Sequence, residues 1–429
     1  MGLTTIAYGS DQAVKLQSIG LFAVCMQRPT VLNRLTGTLP KQSQAEDRMR
    51  FQSKNEMPIV RCMDLTKTAG DEITFDLINP VGGKPIMGES YAEGMGDTMS
   101  FSQDSLRINQ TRKPISAGGR MTQQRTPHQM RSLARAQAQN YMTRLSDQLA
   151  LVHLAGARGF QSGKEWVVPL ASDSDFSSIC VNTVKAPTNN RHFISTGSGI
   201  EAVAASGNEI TIQTSDVMNS DVIDGLRTKL DSMDMPPPPV VFEGDQMAQD
   251  SPMRVLLVSS EQYTSILQSS NGQFRTWQSN AMARGRMAKD NPLFLGEAGL
   301  WNGILIVKMP KAIRFYAGDA INWCATSTST TETTTDLVPA AFSTTHAVDR
   351  ALLLGGQALA EAFGKARQSA VPYFWSEKEL DHGDKLEVLI GMIHGMSKIR
   401  FTIDYGDDGN LPTDFGVMAI DTAVRLAGV

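Results

Sequence analysis

The sequence is poor in the features that mark catalytic, metal-binding or membrane proteins. It has four cysteines in 429 residues, Cys25, Cys62, Cys180 and Cys324, and no two of them form a CxxC pair. That pattern suits reduced thiols scattered through a core rather than a disulfide framework or a zinc site. The six histidines never fall at HxH or HxxxH spacing, so no local metal cluster is written into the chain. The longest apolar stretches, 19–26 and 388–393, fall well short of the roughly 20 residues that a spanning helix needs. The opening MGLTTIAYG lacks a basic leader region, and Ile6 stands where a myristoylation signal wants Ser or Thr. Synthesis and use in a reducing cytoplasm are therefore expected, with no membrane partner.

Enzyme motifs are missing too. There is no GxxxxGK[ST], GxGxxG, HExxH, EF-hand loop or GxSxG. Asp404, Asp407 and Asp408 lie in DYGDDGN, whose glycines suit a turn and whose spacing does not suit calcium. No catalytic residue, cofactor or metal site is expected, and the chain is not expected to be an enzyme.

What is present is an ordinary globular composition: 41% hydrophobic, 20% charged, with 40 basic and 44 acidic side chains giving a net charge of −4. This excludes a polybasic chain and global disorder, and the length suffices for two or three domains.

Along the chain, residues 1–56 read as an extended arm with one short helix near 11–26, needing another surface to order it. Residues 57–125 turn to strand patterns at 59–62, 73–77 and 105–110. Between them lies a stretch holding Gly82, Gly83, Gly88, Gly94 and Gly96. The reading is a long two-stranded β excursion with a glycine-rich tip, which must lie on something to be stable.

Thr126-Pro127 then reads as an N-cap followed by proline at the first helical position. Met130, Leu133, Tyr141, Leu145, Leu149 and Val152 follow at helical spacing as far as Gly156. Charge is one-sided here. Residues 105–146 hold Arg107, Arg112, Lys113, Arg120, Arg125, Arg131, Arg135 and Arg144 and no acid. They form either a solvated face with salt bridges to acidic segments elsewhere, or a surface for phosphate or an acidic neighbouring subunit.

Residues 160–219 read as a polar insertion with one strand at 209–213. Helices are predicted at 220–233 and 260–269, and strands at 254–259 and 303–307. An alanine-rich helix containing Gly355-Gly356 is predicted over 347–363, and terminal strands at 386–391, 399–403 and 415–420. The hydroxyl-rich 326–335 reads as a flexible surface loop. The 22 methionines fill a core or serve contacts that must repack.

The order of arm, β excursion, long helix and mixed remainder resembles the HK97-type major capsid protein of tailed bacteriophages. Asn291-Pro292-Leu293-Phe294, followed by Gly299-Leu300-Trp301-Asn302-Gly303-Ile304, is similar to a segment of the N4 gp56-like capsid family, with Trp301 at an aromatic position that is often Tyr. Ile390-Gly391-Met392-Ile393-His394-Gly395, Lys398-Ile399-Arg400-Phe401, Asp414-Phe415-Gly416-Val417 and Asp421-Thr422-Ala423 are similar to it as well.

The resemblance implies an α+β HK97-like fold. It has an N-terminal arm (1–56), an E-loop (57–125), and a peripheral domain (126–219) with a spine helix at 126–156 and the insertion at 160–219. An axial domain (220–370) and a return to the peripheral domain (371–429) complete it. The implied function is self-assembly into an icosahedral shell around double-stranded DNA. The five tip glycines would make inter-subunit contacts, and the basic residues from Arg112 to Arg144 would face DNA or a neighbour. Implied partners are further copies of the chain in pentamers and hexamers, portal, scaffolding and decoration proteins, and DNA through non-specific contact. The location would be the virion, after assembly in the host cytoplasm. The alternatives are an encapsulin-like nanocompartment and a soluble enzyme without recognisable motifs.

Overall fold

The computed structural model describes residues 34–37, 53, 56–66, 69–120, 130–245, 247–270, 272–287, 292–294, 298–332, 334–343, 345–365, 372–406 and 409–426. Most of the expected arm, its helix near 11–26, Cys25, Thr126-Pro127, Arg125, Asn291, Asp407 and Asp408 lie outside the described residues.

Two sheets organise the molecule. The first is built on Lys385–Lys398. Asn109–Gly119 pairs along one side of it. Along the other side Leu359–Phe363 and Tyr373–Leu380 lie end to end, both antiparallel. Ile59–Cys62 adds in parallel to Leu359–Phe363. The second sheet runs in the order Gly299–Trp301, Ile304–Lys308, Arg254–Val258, His346–Leu354, Val417–Arg425, His192–Ser195, Ile200–Ala202, with Arg314–Phe315 joined to His346–Leu354. Its middle strands are covered on both faces and read as near-continuous apolar runs.

The helix Met130–Ala155 packs against both sheets. Ala134, Ala138, Met142, Leu145 and Leu149, spaced by three and four, meet Trp375, Val388, Ile390 and Met392 of the first sheet in one apolar cluster. Its last turns are buried on all sides. Gly156 ends the helix at φ +65°, and a Cβ there would come within 2.3 Å of the Lys185 carbonyl. On one face of the second sheet, Val222, Ile223, Leu226 and Leu230 from Ser220–Ser232 join Tyr263, Ile266 and Trp277 over Leu256, Ile306, Leu353 and Ile420.

Four expectations change. The helix expected over 347–363 is two strands, His346–Leu354 and Leu359–Phe363, parted at Gly355-Gly356. A segment buried on every side has no polar stripe, so periodicity does not separate helix from strand, and sheet pairing overrides alanine's helix propensity. A Cβ on Gly355 would lie 2.3 Å from the Pro238 carbonyl. The stretch 160–219 is more than a surface insertion, because His192–Ser195 lies inside the second sheet beside Val417–Arg425. Its expected strand at 209–213 is only Glu209–Ile210.

The hydroxyl-rich 326–335 is partly a strand: Thr334–Leu337 pairs with Ala320–Trp323, and Arg400 donates to the Thr330 carbonyl. Within 57–125 the two-stranded hairpin is Glu72–Ile78 with Phe101–Arg107, while Ile59–Cys62 and Asn109–Gly119 belong to the first sheet. Cys62, Cys180 and Cys324 are free and buried.

Candidate assembly surfaces

The hairpin has a fixed root and an open tip. Its register runs from Glu72 opposite Arg107 to Ile78 opposite Phe101. Burial alternates along Glu72–Ile78 as the strand period demands. Ile73, Phe75, Leu77 and fully buried Leu106 pack on Ile399, Phe401 and Ile403.

Polar contacts pin the same root. The Asn182 side chain accepts from the Arg107 N–H at 2.9 Å and donates to the Arg107 carbonyl at 2.9 Å and the Met396 carbonyl at 3.0 Å. Lys185 Nζ lies 2.8 and 2.9 Å from the two oxygens of Asp104. The backbone N–H of Arg400 donates to Asp104 and that of Thr402 to Ser102 Oγ. Gly395 lets the root cross closely, since a Cβ there would come within 1.9 Å of the Arg107 carbonyl.

Beyond Asn79 and Ser100, whose backbones are joined at 3.0 Å, residues 80–99 form no regular element. Gly83, Gly88 and Gly94 take φ of +97°, +66° and +82°, turns that other residues resist. Gly82 and Gly96 are also exposed. The segment bears Val81, Ile86, Met87, Tyr91, Met95 and Met99 on its surface, with Ile78 and Phe101 at its base; Met87 is 74% and Tyr91 77% exposed. Large apolar side chains concentrated in water in this way form the kind of surface that protein contacts cover.

The basic residues separate into groups. Arg131 and Arg135 reach Glu377 at 2.7 and 3.3 Å, and the Arg135 guanidinium lies 4.3 Å from the Trp375 ring centre. These two make the ion pairs with a distant acidic segment that one reading of the sequence anticipates. Arg120 donates to the Gly383 carbonyl. Arg112 and Lys113 are exposed on Asn109–Gly119, with Lys113 Nζ 5.2 Å above the Tyr141 ring of the long helix. Arg144 is half-buried on that helix.

Sequence reasoning missed three buried charge clusters. Arg350 donates to both oxygens of Asp421 at 2.7 and 2.8 Å and to the Ala155 carbonyl at 2.9 Å, with His192 Nε2 2.7 Å from Asp421. The guanidinium thereby places positive charge on the carboxyl end of the long helix, where its dipole is negative. Burial would raise the Asp421 carboxyl, but Arg350 and His192 hold it well below the usual range. Burial lowers the His192 imidazole, against the pull of Asp421. Arg314 bridges Asp349 and Glu261 at 2.7 and 2.9 Å. Asp414 holds Lys398 at 2.7 Å and Arg400 at 2.8 Å. Charged pairs inside apolar runs, Asp349-Arg350 in AVDRALLL and Asp421 in VMAIDTAV, are the signal that could have found them.

A His–Asp–Arg set can resemble a catalytic constellation, but these side chains are at most 1% exposed and cannot meet a substrate. They are structural ties. Among the described residues no group of three His, Cys, Asp or Glu could hold a metal ion, and no helix is long and apolar enough to cross a membrane.

The segment around Trp301, Asn302 and Gly303 has a packing explanation. Asn302 and Gly303 take φ of +48° and +75° in the two-residue turn joining Gly299–Trp301 to Ile304–Lys308. Trp301 stacks on Trp277 at 5.2 Å and donates to Asp224.

A sequence model of a family described as phage capsid protein matches residues 5–426. A search of curated proteins finds no match. Among solved structures, the fold is similar to the capsid of Ralstonia phage GP4, at 24% identity with all of both chains covered and a TM-score of 0.67. It is also similar to the cyanophage Pam1 capsid, at 17% identity over 86% of this chain and 88% of that one, TM-score 0.55. A third likeness is the Helicobacter pylori bacteriophage KHP30 capsid, at 11% identity over 87% and 89%, TM-score 0.52.

Proposed function

The chain belongs to the phage capsid protein family, and from that premise we propose how this particular subunit builds its shell. Its role is structural rather than enzymatic: it is a major capsid protein, its place is the virion, and its main partner is further copies of itself.

The finer reading is of an HK97-type subunit close to the N4 gp56-like proteins. The hairpin within 57–125 is the E-loop, lying across a neighbour. Helix Met130–Ala155 is the spine of a peripheral domain built on the first sheet, and the second sheet belongs to the axial domain; Val417–Arg425 therefore leaves the expected peripheral return over 371–429, and Leu359–Phe363 leaves the expected axial span 220–370. The arm 1–56 orders on contact with other copies. The subunits assemble in the host cytoplasm as pentamers and hexamers, with portal, scaffolding and decoration proteins as further partners. Packaged double-stranded DNA makes non-specific contact with basic residues.

One observation carries the hairpin's role: a root fixed by Asn182, Lys185 and a buried apolar face holds out a tip whose large apolar side chains are exposed. The test replaces residues 79–100 by a two-residue Asn-Gly turn, which suits a β-hairpin. The expected product is a folded subunit with a little-changed melting temperature that forms no closed shells in electron micrographs. Shells of unaltered size and yield would overturn the reading.

A further inference from the structure

The methionines of the chain divide sharply by exposure. Among the described residues nine are buried, with Met142, Met253, Met392 and Met418 at 1% or less. Met247 and Met282 are 41% and 42% exposed. Met87, Met95 and Met99, all in the hairpin tip, stand at 74%, 66% and 63%. Their surroundings leave the sulfur open. Met95 sits between Gly94 and Gly96, and Met87 is followed by Gly88. A Cβ added at any of these three glycines would meet nothing within 4 Å, so the backbone beside both thioethers runs through open space.

The thiols are placed the opposite way. Cys62, Cys180 and Cys324 are buried, and burial pushes the Cys62 and Cys180 thiols up to about 12. A thiol that stays protonated reacts poorly with an oxidant. Among the described residues, the sulfurs that a dissolved oxidant reaches first are therefore the thioethers of the tip.

We propose that Met87, Met95 and Met99 form an oxidation site through which a peroxide governs assembly: the thioether form of the tip joins copies, and the sulfoxide form does not. With hydrogen peroxide the step balances without another reactant. A sulfur lone pair takes one peroxide oxygen, the O–O bond breaks, the sulfur is oxidised by two electrons to the sulfoxide, and the peroxide is reduced to water. Each flexible apolar side chain becomes a polar one, whose new oxygen loses its water when the tip is covered. Three such changes fall within residues 87–99. Methionine sulfoxide reductases, one for each sulfoxide epimer, reverse them. Assembly ends the exposure, because a covered tip shields its own sulfurs. The inference rests on the hairpin reaching a neighbour.

Hydrogen peroxide alone is the probe, on the dissociated full-length subunit. Peptide masses are expected to show one added oxygen on Met87, Met95 and Met99 before any on Met142, Met253 or Met392, with the melting temperature unchanged. The yield of sedimenting shells is expected to fall about tenfold, and both reductases with a dithiol are expected to restore it. The combined variant Met87→Leu, Met95→Leu, Met99→Leu keeps apolar side chains of similar volume and all four cysteines, but has no thioether in the tip. Measured against its own untreated yield, it is expected to lose less than about twofold.

A variant that loses as much as its parent overturns the site, because the sensitive sulfur then lies elsewhere. If the variant forms no shells untreated, the reductases decide: removing the oxygen from these three residues without restoring assembly overturns the site. Closed shells given the same peroxide are expected to keep the three sulfurs unoxidised, and equal oxidation in shells and free subunits also overturns it. If a fully oxidised tip still assembles while removal of 79–100 abolishes shells, the inference fails and the hairpin reading stands. If removal has no effect, the hairpin reading falls first.

Discussion

Lys185 holds both carboxylate oxygens of Asp104, at 2.8 and 2.9 Å, and so joins the returning strand of the hairpin to a stretch 81 residues further along the chain. The pair is largely sheltered, the side chains being 22% and 15% exposed. With Asn182 it gives the polar stretch 160–219 a definite task, fixing the direction in which the hairpin leaves the body.

Asp104→Asn keeps the shape and removes the charge. Bonds to charged groups contribute about 1.5–3 kcal/mol, so a loss in the lower part of that range is expected, concentrated at the root. Hydrogen exchange of Phe101–Arg107 should quicken, while exchange in the second sheet stays as it was. Uniform quickening everywhere would mean that the contact supports the whole fold rather than the hairpin's direction.

Gly395→Ala puts a methyl where the Arg107 carbonyl stands, 1.9 Å away in the present geometry. The backbone must shift, at a cost of about 1–3 kcal/mol. Thermal unfolding of the subunit should show this, and Gly96→Ala, whose Cβ would meet open space, is the control expected to leave stability nearly unchanged.

Arg350→Met takes the guanidinium from the Ala155 carbonyl and from Asp421, which is left with His192 alone in a dry interior. Removing one partner of a buried pair costs about 3–5 kcal/mol. Arg350→Met combined with Asp421→Leu should recover part of this, because no uncompensated charge remains. Denaturant unfolding of the two variants measures the difference, and a double variant no better than the single would contradict the pairing argument.

Acid sensitivity follows from two buried imidazoles. Burial pushes His153 down to about 3 and His394 down to about 4, whereas an unfolded chain holds histidine at about 6.5. Both rings therefore stay neutral in the folded subunit at neutral pH. Below a pH of about 6.5 the unfolded state binds protons that the folded state refuses, so each histidine costs about 1.4 kcal/mol per pH unit until its folded value is reached. Their contribution is thus fully present above a pH of about 6.5 and is lost as the pH falls, down to about 4 for His394 and about 3 for His153. The melting temperature of the dissociated subunit against pH checks this, and His394→Gln should make the slope shallower. A flat profile across that window would show that neither imidazole is buried uncharged.

Much of the local structure was legible because its causes are local. The helix through Met142, Leu145 and Leu149 declares its period, and so do the helices at 220–232 and 260–269, the second opened by a Ser259–Gln262 capping box. Residues 347–363 were not legible, because Asp349 and Arg350 break an apolar run whose partners, Arg314 and Asp421, lie far off in sequence. The exposed hairpin could be anticipated from its glycines and alternation. Its root could not, since Asn182 and Lys185 look like ordinary loop residues until Arg107 and Asp104 are placed against them.

The two central strands, Lys385–Lys398 and Val417–Arg425, lie late in the sequence, and their neighbours include Asn109–Gly119, Leu359–Phe363 and His192–Ser195. A chain synthesised from its amino end must therefore wait for residues 385–425 before either sheet can close. Until then Asn109–Gly119 has no strand to lie on, and the hairpin root lacks the bed formed by Ile399, Phe401 and Gly395. High contact order of this kind slows folding. It also orders events in time, because a ribosome-bound or truncated chain lacks the bed that directs the hairpin. A chain cut short of residues 385–425 therefore lacks the bed that the proposed contact between copies requires.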